Sequence, residues 1–394
     1  MIEIEQPLRL LRLKHSVFAD LLENFMGGGT VIYTADEPDI IEIGVPYVSK
    51  GRVVARDYSD YKDLRERLTA ARRKYGFAPV LVAMSAENTP LVVAGLDYAL
   101  SAIAPRRAAQ LHYNWNVNLI FGRALMEPDG AEARALSAYR VRQKTKFCNY
   151  VFSQDWVSQT RTRRLFCRML SEYKRVDCAG KSLNNTDALF NLEGGHPTSR
   201  HAYDYKWQRP KLRFLSDYKF TIAFENETAD HWLTEKPLQA LAVGSVPIYW
   251  GCPQAGEYIN PRSFINAHDY DSFDALVEHV KRVDNDPDLY EAYRAAPPLL
   301  PSSRFYAMKR DLAPFLERVV AEALRRRAAG PRDGWRRWRR HYQIAKLLYA
   351  NRKFEWRYRR RLVLHRYRRA ALRRLQTVAR RLIVKSARRK SELQ

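Results

Sequence analysis

The sharpest alternation of apolar and polar positions runs from Tyr218 to Asn226. Phe220, Ile222 and Phe224 alternate with Lys219, Thr221 and Ala223, the two-residue period of a strand with one strongly apolar face. The polar residues 227–233 suit a loop. Thr234 stands as an N-cap, with Glu235, Lys236 and Pro237 in the first helical turn, where proline has no helical N–H bond to lose. Leu238, Leu241 and Ala242 recur at helical spacing, and Gly244 stands where glycine ends a helix. Residues 246–250 read as a second, short, buried strand. The order strand–loop–helix–strand is a βαβ unit and predicts a parallel sheet.

The same reading extends along the chain. Residues 31–34 and 79–84 are expected as strands, the latter a compact apolar run, and 60–75 has the charge mixture of an exposed helix. A strand is expected over 146–153 and a helix over 160–173. The stretch 188–215 is polar and loop-like. Helices are predicted over 272–283 and 304–327, the last closing the body of the protein. The sequence Ala328-Ala329-Gly330-Pro331 marks a boundary. Beyond it Trp335, Trp338, Tyr342, Ala345 and Tyr349 recur every three or four residues, with arginines on the other faces.

Composition sharpens this division. A chain of 394 residues exceeds one ordinary core, and an apolar share of 46% suffices for a globular body. The net charge of +25 is concentrated: residues 331–394 hold 23 Lys and Arg against 3 Asp and Glu, a net of +20, leaving +5 for residues 1–330. A basic helix with an aromatic stripe suits an anionic membrane surface; nucleic-acid binding and a partner or oligomer seam are the competing readings. Cys148, Cys167, Cys178 and Cys252 have no metal-ligand or CxxC spacing and are expected as buried, reduced thiols. Charged residues interrupt any apolar run near Met1, so no signal peptide is expected, and the segment 91–104 is too short and too charged for a membrane span.

In open parallel sheets ligands bind beyond the carboxyl ends of strands. Glu225, Asn226, Glu235 and Lys236 all fall at that edge, and a lysine beside a helix N-terminus suits a phosphate. Glu87 follows the strand at 79–84 in the same way. The alternatives are a solvated loop, a surface Glu-Lys pair and a turn-capping glutamate. Asp284-Asn285-Asp286 has a metal-binding look but sits in a proline turn and is discounted.

The blocks Phe224-Glu225-Asn226, Thr234-Glu235-Lys236, Val246 to Gly251 and Asn260 to Asn266 resemble, in order and spacing, the signature of the α-1,3/1,4-fucosyltransferases, glycosyltransferase family ten, with bacterial members nearest. Glu87-Asn88 and Asp97-Tyr98-Ala99 resemble, more loosely, the segment carrying the family's proposed general base. Arg163 corresponds to the family's donor-phosphate arginine by its offset from Phe166 and Leu170. The block Val176 to Lys181, with Asn184-Asn185, adds a further likeness. Ser153 is followed by Gln154 where the family has asparagine, so that residue's contacts do not carry over.

The resemblance implies an α/β protein of GT-B type: two Rossmann-like domains facing a cleft, 1–150 for the acceptor and 151–330 for GDP-fucose, followed by a basic helical tail, 331–394. It implies inverting transfer of L-fucose from GDP-β-L-fucose to an acceptor oligosaccharide, with α-1,3 transfer to N-acetylglucosamine of a lipopolysaccharide or similar glycan the leading expectation. Glu87 is the expected base. Glu235 is expected to hold the fucose and oppose its positive charge. Arg163, Asn226, Trp232, Thr234 and Lys236 are the expected donor contacts, with Trp232 stacking where the family often has tyrosine. No cofactor and no metal are expected. The expected place is the cytoplasm, peripheral on the inner face of the cytoplasmic membrane, with self-association left open. The different-class alternative is a non-catalytic membrane- or nucleic-acid-bound scaffold that keeps the fold.

Overall fold

The computed structural model describes residues 7–11, 17–27, 31–34, 38–44, 47–49, 52–54, 79–85, 97–102, 110–152, 161–192 and 205–329. The expectations for Glu87, Asn88, the helix at 60–75 and the tail after Gly330 lie outside these residues.

Two parallel sheets follow one another. The first contains β1 (Leu8–Leu11), β2 (Val31–Tyr33), β3 (Ile40–Gly44), β6 (Val80–Ser85), β7 (Tyr98–Ser101) and β8 (Gln110–His112), ordered β2-β1-β3-β6-β7-β8. Between them β4 (Tyr47–Ser49) and β5 (Arg52–Val54) pair antiparallel. The second sheet contains β9 (Lys146–Tyr150), β10 (Val176–Cys178), β11 (Tyr218–Phe224), β12 (Val246–Trp250) and β13 (Ile265–Asn266), ordered β10-β9-β11-β12-β13. The predicted βαβ unit is present, with β11 and β12 parallel and Ile222 opposite Ile248. The change of sheet falls before β9, ahead of the expected break at residue 150.

The described helices are α1 (Val17–Met26), α2 (Ile120–Met126), α3 (Ala131–Val141), α4 (Arg161–Tyr173), α5 (Tyr205–Leu215), α6 (Glu235–Ala242), α7 (Phe273–Asn285), α8 (Pro287–Ala295) and α9 (Arg304–Ala329). α6 ends at Gly244, whose φ of +71° suits glycine and lets the chain turn straight into β12. None of the described helices is long and apolar enough to cross a membrane.

Two sequence expectations are corrected here. First, β11 is covered on both faces, so its strand residues are buried except for the half-buried Lys219. Phe220, Ile222 and Phe224 enter the core with Phe166, Val246, Ile248 and Val280, and Phe166 stacks on Phe224 at 4.9 Å between ring centroids. On the other face Thr221 exchanges hydrogen bonds with Asn149 (2.8 Å) and Ser245 (2.7 Å). This is the habit of a parallel sheet sandwiched by helices. Second, the stretch expected as a loop over 188–215 ends in α5. Pro210, Lys211, Leu212, Phe214 and Leu215 are buried there while Arg209 and Arg213 face water. Proline and the many basic residues masked an amphipathic pattern whose apolar side packs on β11 and α6.

The helix α9 leaves the second unit and returns to the first sheet. Tyr98 meets Phe315 edge-on at 5.8 Å. Arg326 grips Asp97 through Nη1 (2.9 Å) and Nη2 (2.7 Å), and Arg327 reaches Asp39 at 2.9 Å. A second link is α2, which packs against α6. All four cysteines are buried thiols, as their spacing suggested.

Candidate functional site

In the second sheet the order reverses between β9 and β11, and the crevice beyond their carboxyl ends is where an open α/β sheet takes its ligand. The chain after β9 supplies α4, and the chain after β11 supplies Glu225 and Asn226. The two meet there: Arg163 Nη1 donates to Asn226 Oδ1 at 2.7 Å. Arg163 is 1% exposed and its guanidinium lies 4.3 Å from the centre of the Phe152 ring. An aromatic face and a neutral amide hold the guanidinium in place at this edge of the sheet. Arg161, two residues earlier on α4, is exposed, as a solvated basic face should be.

Glu225 is completely buried and anchors the turn into α6. Its Oε1 accepts from the backbone N–H of Thr234 at 2.8 Å, and its Oε2 accepts from Thr234 Oγ1 at 2.7 Å and from Lys236 Nζ at 2.7 Å. Lys236 Nζ also lies 2.9 Å from Thr234 Oγ1 and 3.5 Å from a Glu235 oxygen. Gly251, at the end of β12, makes room for this carboxylate: an added Cβ would fall 2.7 Å from Glu225 Cβ. Thr234 thus occupies the N-cap position with extended backbone, but its hydroxyl serves Glu225 and makes no cap bond.

The electrostatics separate the two carboxyls. Burial pushes the Glu225 carboxyl up, against the pull of Lys236. Burial also opposes charge on Glu235, but Lys236 and Lys211 outweigh it and draw that carboxyl down to about 2. Burial acts against charge on Lys236 too, and the two glutamates override it, so its pKa is raised. Lys211, buried in α5, is pushed down to about 8 by burial, with Glu235 opposing the fall. Arg163, Lys236 and Lys211 thus lie together with Glu225 and Glu235 where β11 passes into α6. Cations beside a helix N-terminus suit a polyanion such as a diphosphate.

The structure thus brings together Arg163, Asn226, Thr234, Glu235 and Lys236. It places Trp232 differently from expectation. The indole is 2% exposed and packs against Ala102 and Ala229, so in this structure it is a wedge between the sheets and not a stacking platform open to ligand. Asp97, read with the base-bearing segment, lies at the entry edge of β7, where it also accepts from the N–H of Leu81 at 2.8 Å. It is a staple for α9 on the edge opposite the crevice. Asn185 brackets β10 through Cys178 N–H (2.8 Å) and Val176 O (2.9 Å), which gives that asparagine a loop-holding role. Asp284 is spoken for by Lys174 and Lys219, and Asp286 caps α8, which accounts for the discounted Asp-Asn-Asp run. Among the described residues no group of three or more His, Cys, Asp or Glu side chains is arranged to hold a metal ion.

Sequence reasoning assigned no role to Glu225 itself or to Lys211. A carboxylate between Phe224 and Asn226 at the end of a buried strand is a usable signal for the first. Lys211 lies among basic residues of α5 and carries no such signal.

Residues 141–295 match a family model described as glycosyltransferase family 10 (fucosyltransferase) C-term. The chain is 36% identical over 108 residues to the alpha-(1,3)-fucosyltransferase FucT of Helicobacter pylori, covering 26% of this chain and 22% of that protein. It is 32% identical over 144 residues to the GDP-fucose protein O-fucosyltransferase 3 of Homo sapiens, covering 36% of this chain and 28% of that one. The chain spans about a quarter of the length of the curated relatives it matches. Its fold is similar to a crystal structure of an alpha1,3-fucosyltransferase with GDP-fucose, with a TM-score of 0.55 and 18% identity over 81% of this chain and 92% of that one. Two consecutive parallel-sheet units and this likeness make the chain an α/β protein of GT-B type.

Proposed function

We propose that this chain, whose residues 141–295 match the glycosyltransferase family 10 (fucosyltransferase) C-term model, transfers L-fucose from GDP-fucose to a hydroxyl of an acceptor glycan. The observation that carries the reading is the meeting of Arg163, Asn226, Glu235 and Lys236 where the order of the second sheet reverses. In this reading the diphosphate of GDP lies between Arg163, Lys236 and the N-terminus of α6. These groups take up the negative charge that grows on GDP as it leaves, and no metal is required. Glu235, held ionised, faces the fucose and opposes the oxocarbenium character of the transition state. The displacement is single and inverting: the acceptor oxygen bonds to the anomeric carbon, the bond to GDP breaks, and Glu87 takes the hydroxyl proton.

The acceptor is proposed as a surface glycan such as lipopolysaccharide, fucosylated α-1,3 on N-acetylglucosamine, with the basic tail bringing the enzyme to the inner face of the membrane. The 144-residue likeness to a protein O-fucosyltransferase favours a second reading, in which the acceptor hydroxyl belongs to a polypeptide. Incubating the full chain with GDP-fucose and a panel of N-acetylglucosamine-containing glycans and Ser/Thr peptides, followed by mass spectrometry, tests both. Addition of one deoxyhexose to a glycan, undiminished by chelator, supports the first. Addition to a peptide alone moves the acceptor to protein. Transfer to neither leaves the non-catalytic scaffold.

A further inference from the structure

The residues just before the donor turn are held by the other sheet. Three consecutive residues of this segment each meet the carboxyl edge of the first sheet. The His231 ring lies edge-on to the ring of His112 at 6.2 Å, Trp232 packs on Ala102, and the Leu233 carbonyl accepts a hydrogen bond from Asn114 Nδ2 at 2.6 Å. His231 has a φ of +57°, a left-handed conformation that a non-glycine residue keeps only when its surroundings insist on it. Here Gln254 accepts from its N–H at 2.9 Å, and Tyr258 and Arg304 each lie 3.2 Å from its Nδ1.

Asn114 is 4% exposed and its amide is oriented without ambiguity. Its Oδ1 accepts from the N–H of Asn116 at 3.1 Å and from Asn116 Nδ2 at 2.8 Å, so the nitrogen must face Leu233. The next residue after Leu233 is Thr234, whose N–H and hydroxyl are fixed by Glu225. The peptide entering α6 is therefore clamped from both sides, by Glu225 of the second sheet and by Asn114 of the first.

We propose that Asn114 is a positioning residue for the donor site, fixing from the first sheet the turn that presents Glu235 and Lys236 to GDP-fucose. The inference rests on the donor reading above. It means that donor affinity depends on the junction between the two sheets, through a residue whose side chain is committed to Leu233 and Asn116.

The test is Asn114→Asp in the full chain, with GDP affinity measured by calorimetry at pH 8 and pH 5.5 beside the wild type. The introduced carboxylate keeps the acceptor toward Asn116 but sets an oxygen against the Leu233 carbonyl. GDP affinity is expected to fall about tenfold or more at pH 8, as for loss of a buried hydrogen bond that leaves its partner unpaired. A protonated carboxyl can donate to Leu233 again, and burial raises its pKa, so the deficit relative to wild type should shrink at pH 5.5. Asn114→Ser, which keeps a cap for the turn at Trp115–Asn118 but cannot reach Leu233, should show the same weakening without recovery. In turnover the variants should raise KM for GDP-fucose more than they lower kcat. Lys309→Ala, which removes an exposed tie between α9 and Glu127, should leave GDP affinity unchanged. Unaltered GDP affinity in both Asn114 variants, or an equal deficit at both pH values accompanied by the same loss of melting temperature in each, would overturn the proposal while leaving the donor reading intact. Failure of the wild type to bind GDP would overturn the donor reading and this inference with it.

Discussion

The two sheets use the same kinds of charge at opposite edges, and to opposite ends. In the first sheet the buried Asp39 and the half-buried Asp97 precede their strands. Asp39 is matched by Arg9 and Arg327, and Asp97 by Arg326 and the N–H of Leu81. Every carboxylate oxygen there is answered from within the chain, so the arrangement is closed, and it fastens α9. In the second sheet Glu225 and Glu235 follow their strand, with Lys236, Lys211 and Arg163 around them. That arrangement lies at the edge where an open α/β sheet takes its ligand. A buried ion pair is therefore no sign of a site by itself. Its position on the strand, before it or beyond its carboxyl end, separates a staple from a candidate binding site.

The largest expected effect compares one cation from each edge. Arg326→Ala leaves the half-buried Asp97 without its bidentate partner and should cost about 3 kcal/mol in a denaturant titration, the loss tempered by water at Asp97. The folded fraction should bind GDP within about twofold of wild type, as distant sites act independently. Lost GDP binding in that variant would place the staple in the donor site and break the distinction.

Next in size is Arg163→Ala against Arg161→Ala. Removing a charge-assisted bond to a phosphate costs about 1.5–3 kcal/mol, so Arg163→Ala should weaken GDP binding by about 10- to 150-fold. Arg161, exposed two residues away, should change it little. Equal losses would mean that only the net charge of α4 matters, without geometry.

The smallest effect is a pH trend with two opposite signs. Burial holds Lys211 at about 8 in the folded chain. In the unfolded chain a lysine keeps its proton until about 10.4, so between these values the unfolded state binds more protons and stability should rise with pH. Over the same window the crevice loses a cation, so GDP affinity should fall. Lys211→Met should flatten both trends. A wild type whose GDP affinity is level from pH 7.5 to 9.5 would remove Lys211 from the account.

What could be read from the sequence follows from distance along the chain. The unit β11–α6–β12 was legible because its signals are local: a two-residue period, a helical period, a proline in the first turn and a glycine at the end. Most of the candidate donor residues cluster within that unit, whereas Arg163 was singled out only by the resemblance to the family and not by any local pattern. The helix α5 was not, since Pro210 and its flanking arginines hide a buried face that only packing on β11 reveals. The burial of Trp232 against Ala102, the staple from Asp97 to Arg326 and the bond from Asn114 to Leu233 each join residues more than a hundred positions apart. No local pattern encodes such a pair. Thr234 shows the same limit at short range: as an N-cap it is predictable, but its hydroxyl answers a carboxylate on the preceding strand.

The central claim is that the charge cluster at the end of β11 is a guanosine diphosphate site. Calorimetric titration of the full chain with GDP and with UDP, with and without chelator, tests it most directly. The account predicts saturable binding of GDP unaffected by chelator, weak or absent binding of UDP, and a loss of GDP affinity in Lys236→Ala comparable to that in Arg163→Ala. Tight binding of UDP in place of GDP, or GDP affinity unchanged in both variants, would contradict it.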